Sequence, residues 1–178
     1  SARDFLATEC PKAVIRQIEA SETGHHPELW TKMADLGWMG LTLPEEYGGS
    51  AMKLLDLAVL VEEFGRAAMP GPFESTVVMG AMPIAEFGTD EQKKTILPGV
   101  IAGDTLLTMA LWEPEVNEDP RFIAARAIKQ GAKFVLSGTK LFVPYASVSS
   151  SMLIVARTGG KPGDEAGLTV FIVSAKAG

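Results

Sequence analysis

The chain has 178 residues, 47% of them hydrophobic and 21% charged, with a formal net charge of −6. This is the composition of a soluble globular protein with a real core, in one domain or two small ones. Acidic and basic residues are mixed along the sequence, which excludes a basic nucleic-acid footprint, and no apolar run reaches the length of a membrane span. A single cysteine, Cys10, excludes an internal disulfide, and no charged-then-apolar leader opens the sequence. The default expectation is a cytoplasmic protein.

In chain order, Pro11 to Ala20 is amphipathic, with Val14, Ile15 and Ile18 on one side. Gly24-His25-His26-Pro27 breaks it as a solvated turn, and a helix starting at Pro27 carries Leu29, Trp30, Met33 and Leu36. Met39 to Tyr47 reads as a short extended piece ending in the Gly48-Gly49 turn. Lys53 to Ala67 is a strong helix whose expected buried face is Leu54, Leu57, Ala58, Val61 and Phe64. Phe73 to Phe87 is apolar on nearly every side, as in a central helix packed all round, with a bend at Pro83. Thr89 and Gln92 form a capping-box pattern with Asp90 and Glu91 in the first turn. The helix they open carries Ile96, Leu97, Val100 and Ile101, and Pro98 predicts a kink or two short helices.

Gly103-Asp104 ends that pattern, and Thr105 to Leu111 reads as a buried strand. After the polar stretch 115–121, short runs separated by Gly, Ser and Pro read as strands: 124–129, 133–136, 140–143, 152–157 and 168–174. Gly159 to Gly167 reads as a flexible loop. The expected architecture is α+β in two domains: an all-α domain over 1–104, then an incomplete antiparallel β-barrel over 105–178.

Signatures of independent chemistry are absent. The adjacent histidines have no further metal-ligand residues in a recognised spacing, so no metal site is expected. No nucleophile elbow, G-x-G-x-x-G or Walker A loop occurs, so a nucleotide would not be held in the Rossmann or P-loop manner. Glu45-Glu46 and Glu62-Glu63 are adjacent carboxylates that point in different directions and read as surface charge. Cys10 reads as a small apolar residue. Met79, Met82 and Phe87 fit either ordinary core or the wall of an apolar channel.

Four stretches carry a family resemblance: DLGWMGLTLPEEYGG (35–49), VEEFGR (61–66), FGT-x-x-QK followed by LP and WEP (87–114), and KFVLSGTKLFV with LIVART and LTVFIVS (133–174). Together, in this order and spacing, they resemble the acyl-CoA dehydrogenase family. The resemblance implies a helical N-terminal domain, a middle β-barrel and a C-terminal four-helix bundle, with FAD as cofactor. It also implies an acyl-CoA substrate, an electron-transfer flavoprotein as oxidant, a homotetramer or hetero-oligomer, and a place in fatty-acid β-oxidation. In the family the glutamate base lies on the C-terminal bundle, so no catalytic residue is assigned within this chain, which reads as an incomplete copy and is expected to be inactive alone.

The same resemblance assigns sites. The strand ending in Glu-Pro and the strand after Gly-Thr-Lys border the flavin, which points to Met109, Leu111, Trp112, Phe142 and Pro144. Asn117 and Glu118 fall where the family has a Gly-Ser pair touching flavin phosphate and substrate; a carboxylate there would repel a pyrophosphate. Phe142 and Pro144 stand in place of a flavin-stacking Trp and a hydrogen-bonding Thr. Phe142 can still stack, but Pro144 offers neither hydroxyl nor N–H. Ser75, Met79 and Met82 are the expected lining of an acyl tunnel. These departures leave a second possibility open: a non-catalytic subunit of a heteromeric enzyme.

Overall fold

The computed structural model describes residues 1–114 and 119–175. The chain divides into two compact units, Ser1–Leu107 and Thr108–Gly178.

The first unit is helical: α1 (Ala2–Glu9), α2 (Lys12–Glu19), α3 (Pro27–Asp35), α4 (Leu54–Ala67), a π-helical segment (Glu74–Ala81), α5 (Met82–Phe87) and α6 (Asp90–Ile101). Its core gathers Leu6, Ile18, Trp30, Met33, Leu57, Phe64 and Phe73, with Trp38 partly buried against them. Phe64 stacks edge-on against Phe73 at 4.8 Å, and Trp38 lies 5.5 Å from Phe64. Cys10 is part of this core, and burial pushes its thiol pKa up. The Thr89–Gln92 capping box forms in both directions, at 2.8 and 3.3 Å. After α6 the chain turns at Gly103, whose carbonyl accepts from the Trp30 indole at 2.9 Å.

Several local expectations change. The 39–47 stretch is not extended but holds two 3-10 turns, Trp38–Gly40 and Glu45–Tyr47. Gly49 is required by close approach: a Cβ there would sit 2.1 Å from the Leu43 carbonyl oxygen and 2.9 Å from that of Gly40. The buried stripe of α4 is Leu57, Leu60 and Phe64, while Leu54 and Val61 are exposed. This helix is apolar around most of its circumference, so periodicity could not choose its inner face. α6 runs as one helix with Pro98 inside it. The 73–87 stretch begins as a π-helix, where the Met82 N–H reaches the Val77 carbonyl, and Phe87 at its end is 85% exposed rather than core. Thr76 is buried within it, and its hydroxyl bridges the Leu107 N–H and carbonyl at 3.2 and 3.1 Å.

His25 and His26 are half-buried, not solvated. His26 Nδ1 caps α3 by accepting the Leu29 N–H at 3.2 Å, and His25 lies edge-on to Trp30 at 5.8 Å. Burial, and secondarily His26, lower the His25 pKa below the ordinary 6.5. The unfolded chain therefore takes up a proton that the folded chain resists, so this stability is present above about pH 6.5 and is lost as pH falls from that value through the lower folded pKa. The denaturation midpoint should drop between about pH 7 and pH 5, and His25→Phe should shrink the drop. An equal drop in the variant would exclude His25 as its source.

Among the described residues the second unit is built on an open, mixed five-stranded sheet: β1 (Leu107–Ala110), β2 (Arg126–Gln130), β3 (Lys133–Ser137), β4 (Ser151–Arg157) and β5 (Leu168–Ser174). The order is β1-β4-β2-β3, with β5 also on β4. Pairs β2–β3 and β4–β5 are antiparallel, but β2 and β4 meet in parallel at one rung, Arg126 beside Arg157, so the sheet is not wholly antiparallel. The strand expected over 140–143 does not form. That segment runs as irregular backbone into a turn over 144–148, and Phe142 and Tyr145 are both at φ +52°.

Arg157, 1% exposed, organises the loops of this unit. Its guanidinium donates to the carbonyls of Ile123 (2.7 Å), Ala166 (3.0 Å), Asp164 (3.0 Å) and Arg121. The 159–167 loop is thus tied down at Asp164 and Ala166.

Candidate functional site

Met109 lies on β1, and Leu111 and Trp112 follow it on the way to Glu113. Strand side chains alternate in direction, so Met109 and Leu111 share a side; both are half-buried. The 138–145 segment runs beside this stretch. Its backbone is joined there by the Leu141 N–H to the Trp112 carbonyl at 2.9 Å. The Thr108 hydroxyl donates to the Pro144 carbonyl at 2.6 Å. The structure therefore brings Met109, Leu111 and Trp112 together with Phe142 and Pro144.

A buried ion pair holds the two segments. Lys140 Nζ donates to Glu113 Oε1 at 2.6 Å and to the Leu111 carbonyl at 3.2 Å. The Glu113 carboxylate also accepts the Ala124 N–H at 2.7 Å and the Ala125 N–H at 3.1 and 3.2 Å. The two side chains are 3% and 11% exposed. A buried charge is tolerated only when paired and hydrogen-bonded, and this carboxylate has both. Gly138 completes the corner, since a Cβ there would lie 2.6 Å from the Ala125 Cβ.

Against this fixed base, Phe142 is 87% exposed. A non-glycine residue at positive φ is strained and persists where its surroundings impose it. Here the imposing contacts are those of Lys140, Leu141 and Pro144. The outcome is an outward aromatic ring, with Trp112 also exposed nearby in sequence to the pinned strand. An exposed aromatic on a rigid support fits a flat conjugated ring by stacking, so the residues present suit a flavin's ring system. Pro144 contributes its carbonyl to Thr108 and has no N–H for a ligand.

The expected acyl-lining residues belong to the first unit. Ser75 is buried and its hydroxyl donates to the Pro72 carbonyl at 3.0 Å, while Met79 and Met82 are half-buried. All three fall on the π-helical segment or just after it, a feature often found at functional sites. Asn117 and Glu118 lie outside the described residues. Among the described residues no group of three metal-ligating side chains occurs, and no helix is long and apolar enough to cross a membrane.

Comparison with known proteins decides the family. The model of "Acyl-CoA dehydrogenase, N-terminal domain" matches residues 1–104. The chain belongs to the acyl-CoA dehydrogenase family. It is 35% identical over 184 residues to the "Probable acyl-CoA dehydrogenase YngJ" of Bacillus subtilis (strain 168), covering 94% of this chain and 48% of that protein. The chain thus spans about half the length of that curated relative. Among solved structures, a variant of the "Tcur3481-Tcur3483 steroid ACAD" superposes with a TM-score of 0.87 at 36% identity, over 98% of this chain and 46% of that one. An acyl-CoA dehydrogenase from Bacillus anthracis, "complexed with FAD", superposes at 0.83 and 28% identity, over 98% of this chain and 30% of that one.

Sequence reasoning did not find Lys140 and Glu113 as a pair, Thr108, or Arg157. Their signal was weak: a Glu-Pro just after β1 and a Gly-Thr-Lys just after β3, with Glu113 and Lys140 27 residues apart.

Proposed function

We propose that the full-length protein catalyses flavin-dependent α,β-dehydrogenation of an acyl-CoA thioester. The observation that carries this reading is Phe142, an exposed aromatic at positive φ beside the pinned 109–112 strand. In this reading Phe142 stacks on the flavin, Met109 and Leu111 form its apolar wall, and Trp112 and Pro144 border it. Ser75, Met79 and Met82 line the acyl chain, and Asn117 and Glu118 lie near the phosphates. FAD, when bound, supplies the hydride acceptor, and the protein supplies position and electrostatics. The catalytic base is assigned to the part of the protein beyond this chain, and this chain alone is expected to be inactive. An electron-transfer flavoprotein as reoxidant, a homotetramer or hetero-oligomer, a cytoplasmic location and a role in fatty-acid β-oxidation belong to the same reading.

A second reading is favoured by Pro144, which has no hydroxyl or N–H to offer a flavin, and by similarity to a steroid enzyme whose name joins two components. In it, this protein is the non-catalytic subunit of a heteromeric enzyme. The test is the flavin content of the full-length protein purified alone. Visible flavin absorbance that bleaches on addition of acyl-CoAs supports the dehydrogenase, and Phe142→Ala should then weaken FAD binding by roughly ten-fold, a stacking contribution. A protein that stays colourless after FAD is added would exclude that reading and favour the partner subunit.

A further inference from the structure

We infer that Glu113 and Lys140 are positioning residues for the flavin: their buried pair sets the distance between the 109–112 wall and the 142–144 platform. The inference rests on the flavin reading above. Neither residue is exposed enough to touch a ligand directly, with side chains 3% and 11% accessible. Each, however, is bonded to backbone on the far segment or at its base. Lys140 spans from its own segment to the Leu111 carbonyl and to Glu113. Glu113 continues to the N–H groups of Ala124 and Ala125, where β2 begins. One ion pair therefore joins three backbone segments within a few residues of five predicted flavin contacts.

The chemistry explains why this pair is charged. A neutral residue in place of Lys140 would leave the Glu113 carboxylate to two backbone donors in a buried setting, and the segments would lose a charge-assisted bond of fixed length. A carboxylate serving two N–H groups and an ammonium also has a directional preference that apolar packing lacks. Supporting residues of this kind hold a binding constellation within the tolerance it needs.

The test uses the full-length protein and three variants: Lys140→Met, Glu113→Gln/Lys140→Met, and Lys140→Arg. FAD affinity is read by flavin fluorescence, the flavin absorption spectrum is taken at saturating FAD, and folding is followed by circular dichroism melting. Lys140→Met leaves a buried carboxylate short of a partner and is the variant most prone to unfold. The double variant removes both charges and keeps the amide as acceptor, so it should melt close to the wild type. It should nevertheless bind FAD roughly ten- to hundred-fold more weakly, the range found when supporting partners of a bound group are removed. Its saturated flavin spectrum should also move toward that of free flavin, a change that lost stability alone would not produce. Lys140→Arg, which keeps the charge, should recover part of the affinity. A double variant that folds and binds FAD with wild-type affinity and spectrum would overturn the positioning role while leaving the flavin reading intact. A wild-type protein that binds no FAD would overturn both.

Discussion

Arg157→Ala should lower the thermal midpoint by roughly ten degrees, the largest effect expected from a single side chain outside the candidate site. The side chain is fully buried, and among the described residues its guanidinium bonds to four backbone carbonyls from two loops and to no carboxylate. Truncation leaves those carbonyls without their donor and opens a cavity the size of a guanidinium. Buried acceptors left unsatisfied cost about 1–3 kcal/mol each before water enters, so a total of about 3–5 kcal/mol is expected. For a protein of this size each kcal/mol moves the midpoint by about 2–4 °C. Arg157→Lys keeps the charge but replaces a planar fork with one ammonium, and should fall between the two. Melting followed by circular dichroism checks the series, and a midpoint within about two degrees of the wild type in Arg157→Ala would mean that the loops find other donors.

Gly49→Ala and Gly65→Ala should move stability in opposite directions. At Gly49 the added carbon would sit 2.1 Å from the Leu43 carbonyl oxygen, which is backbone and cannot swing aside. The turn that folds back after the second 3-10 segment must then open, with loss of bonds such as that from the Gly49 N–H to the Pro44 carbonyl at 3.1 Å. A loss of about 3 kcal/mol or more is expected, as for other strained backbone sites. Gly65 is inside α4, with nothing within 4 Å of the added carbon. There alanine gains helix propensity and restricts the unfolded chain, worth about 0.5–1 kcal/mol of added stability. Chemical denaturation of the two variants in parallel measures both signs. A neutral Gly49→Ala would show that the turn relaxes freely.

What the sequence makes legible is local. The Thr89–Gln92 box, the helix beginning at Pro27 and the two-part α-then-β order are properties of neighbouring residues, and each is found in the structure. What stayed hidden depends on partners far along the chain. The inner face of α4 is chosen by Leu57, Leu60 and Phe64 meeting the core, although Leu54 and Val61 are equally apolar. The 140–143 run has strand-forming residues, but its hydrogen bonds go to Trp112 and Glu113 and no ladder forms. The parallel rung between β2 and β4 likewise breaks an antiparallel expectation that every hairpin turn supported. At the candidate site, the sequence offers motif positions such as Glu113-Pro114 and Gly138-Thr139-Lys140, whereas the ion pair that joins them is seen only in the structure. Spacing carries no sign that Lys140 folds back onto Glu113.

That single rung has a consequence for how the sheet fluctuates. Within each hairpin a full ladder makes opening cooperative, five paired positions in β2–β3 and seven in β4–β5. Across the seam the backbone contributes one rung, so the two hairpins are expected to exchange as separate units. In hydrogen-exchange terms, 126–137 can open below the global unfolding free energy while 151–174 stays closed. The pinned 138–145 segment bearing Phe142 follows directly on the 126–137 hairpin, so a ring stacked on Phe142 should slow exchange across that hairpin.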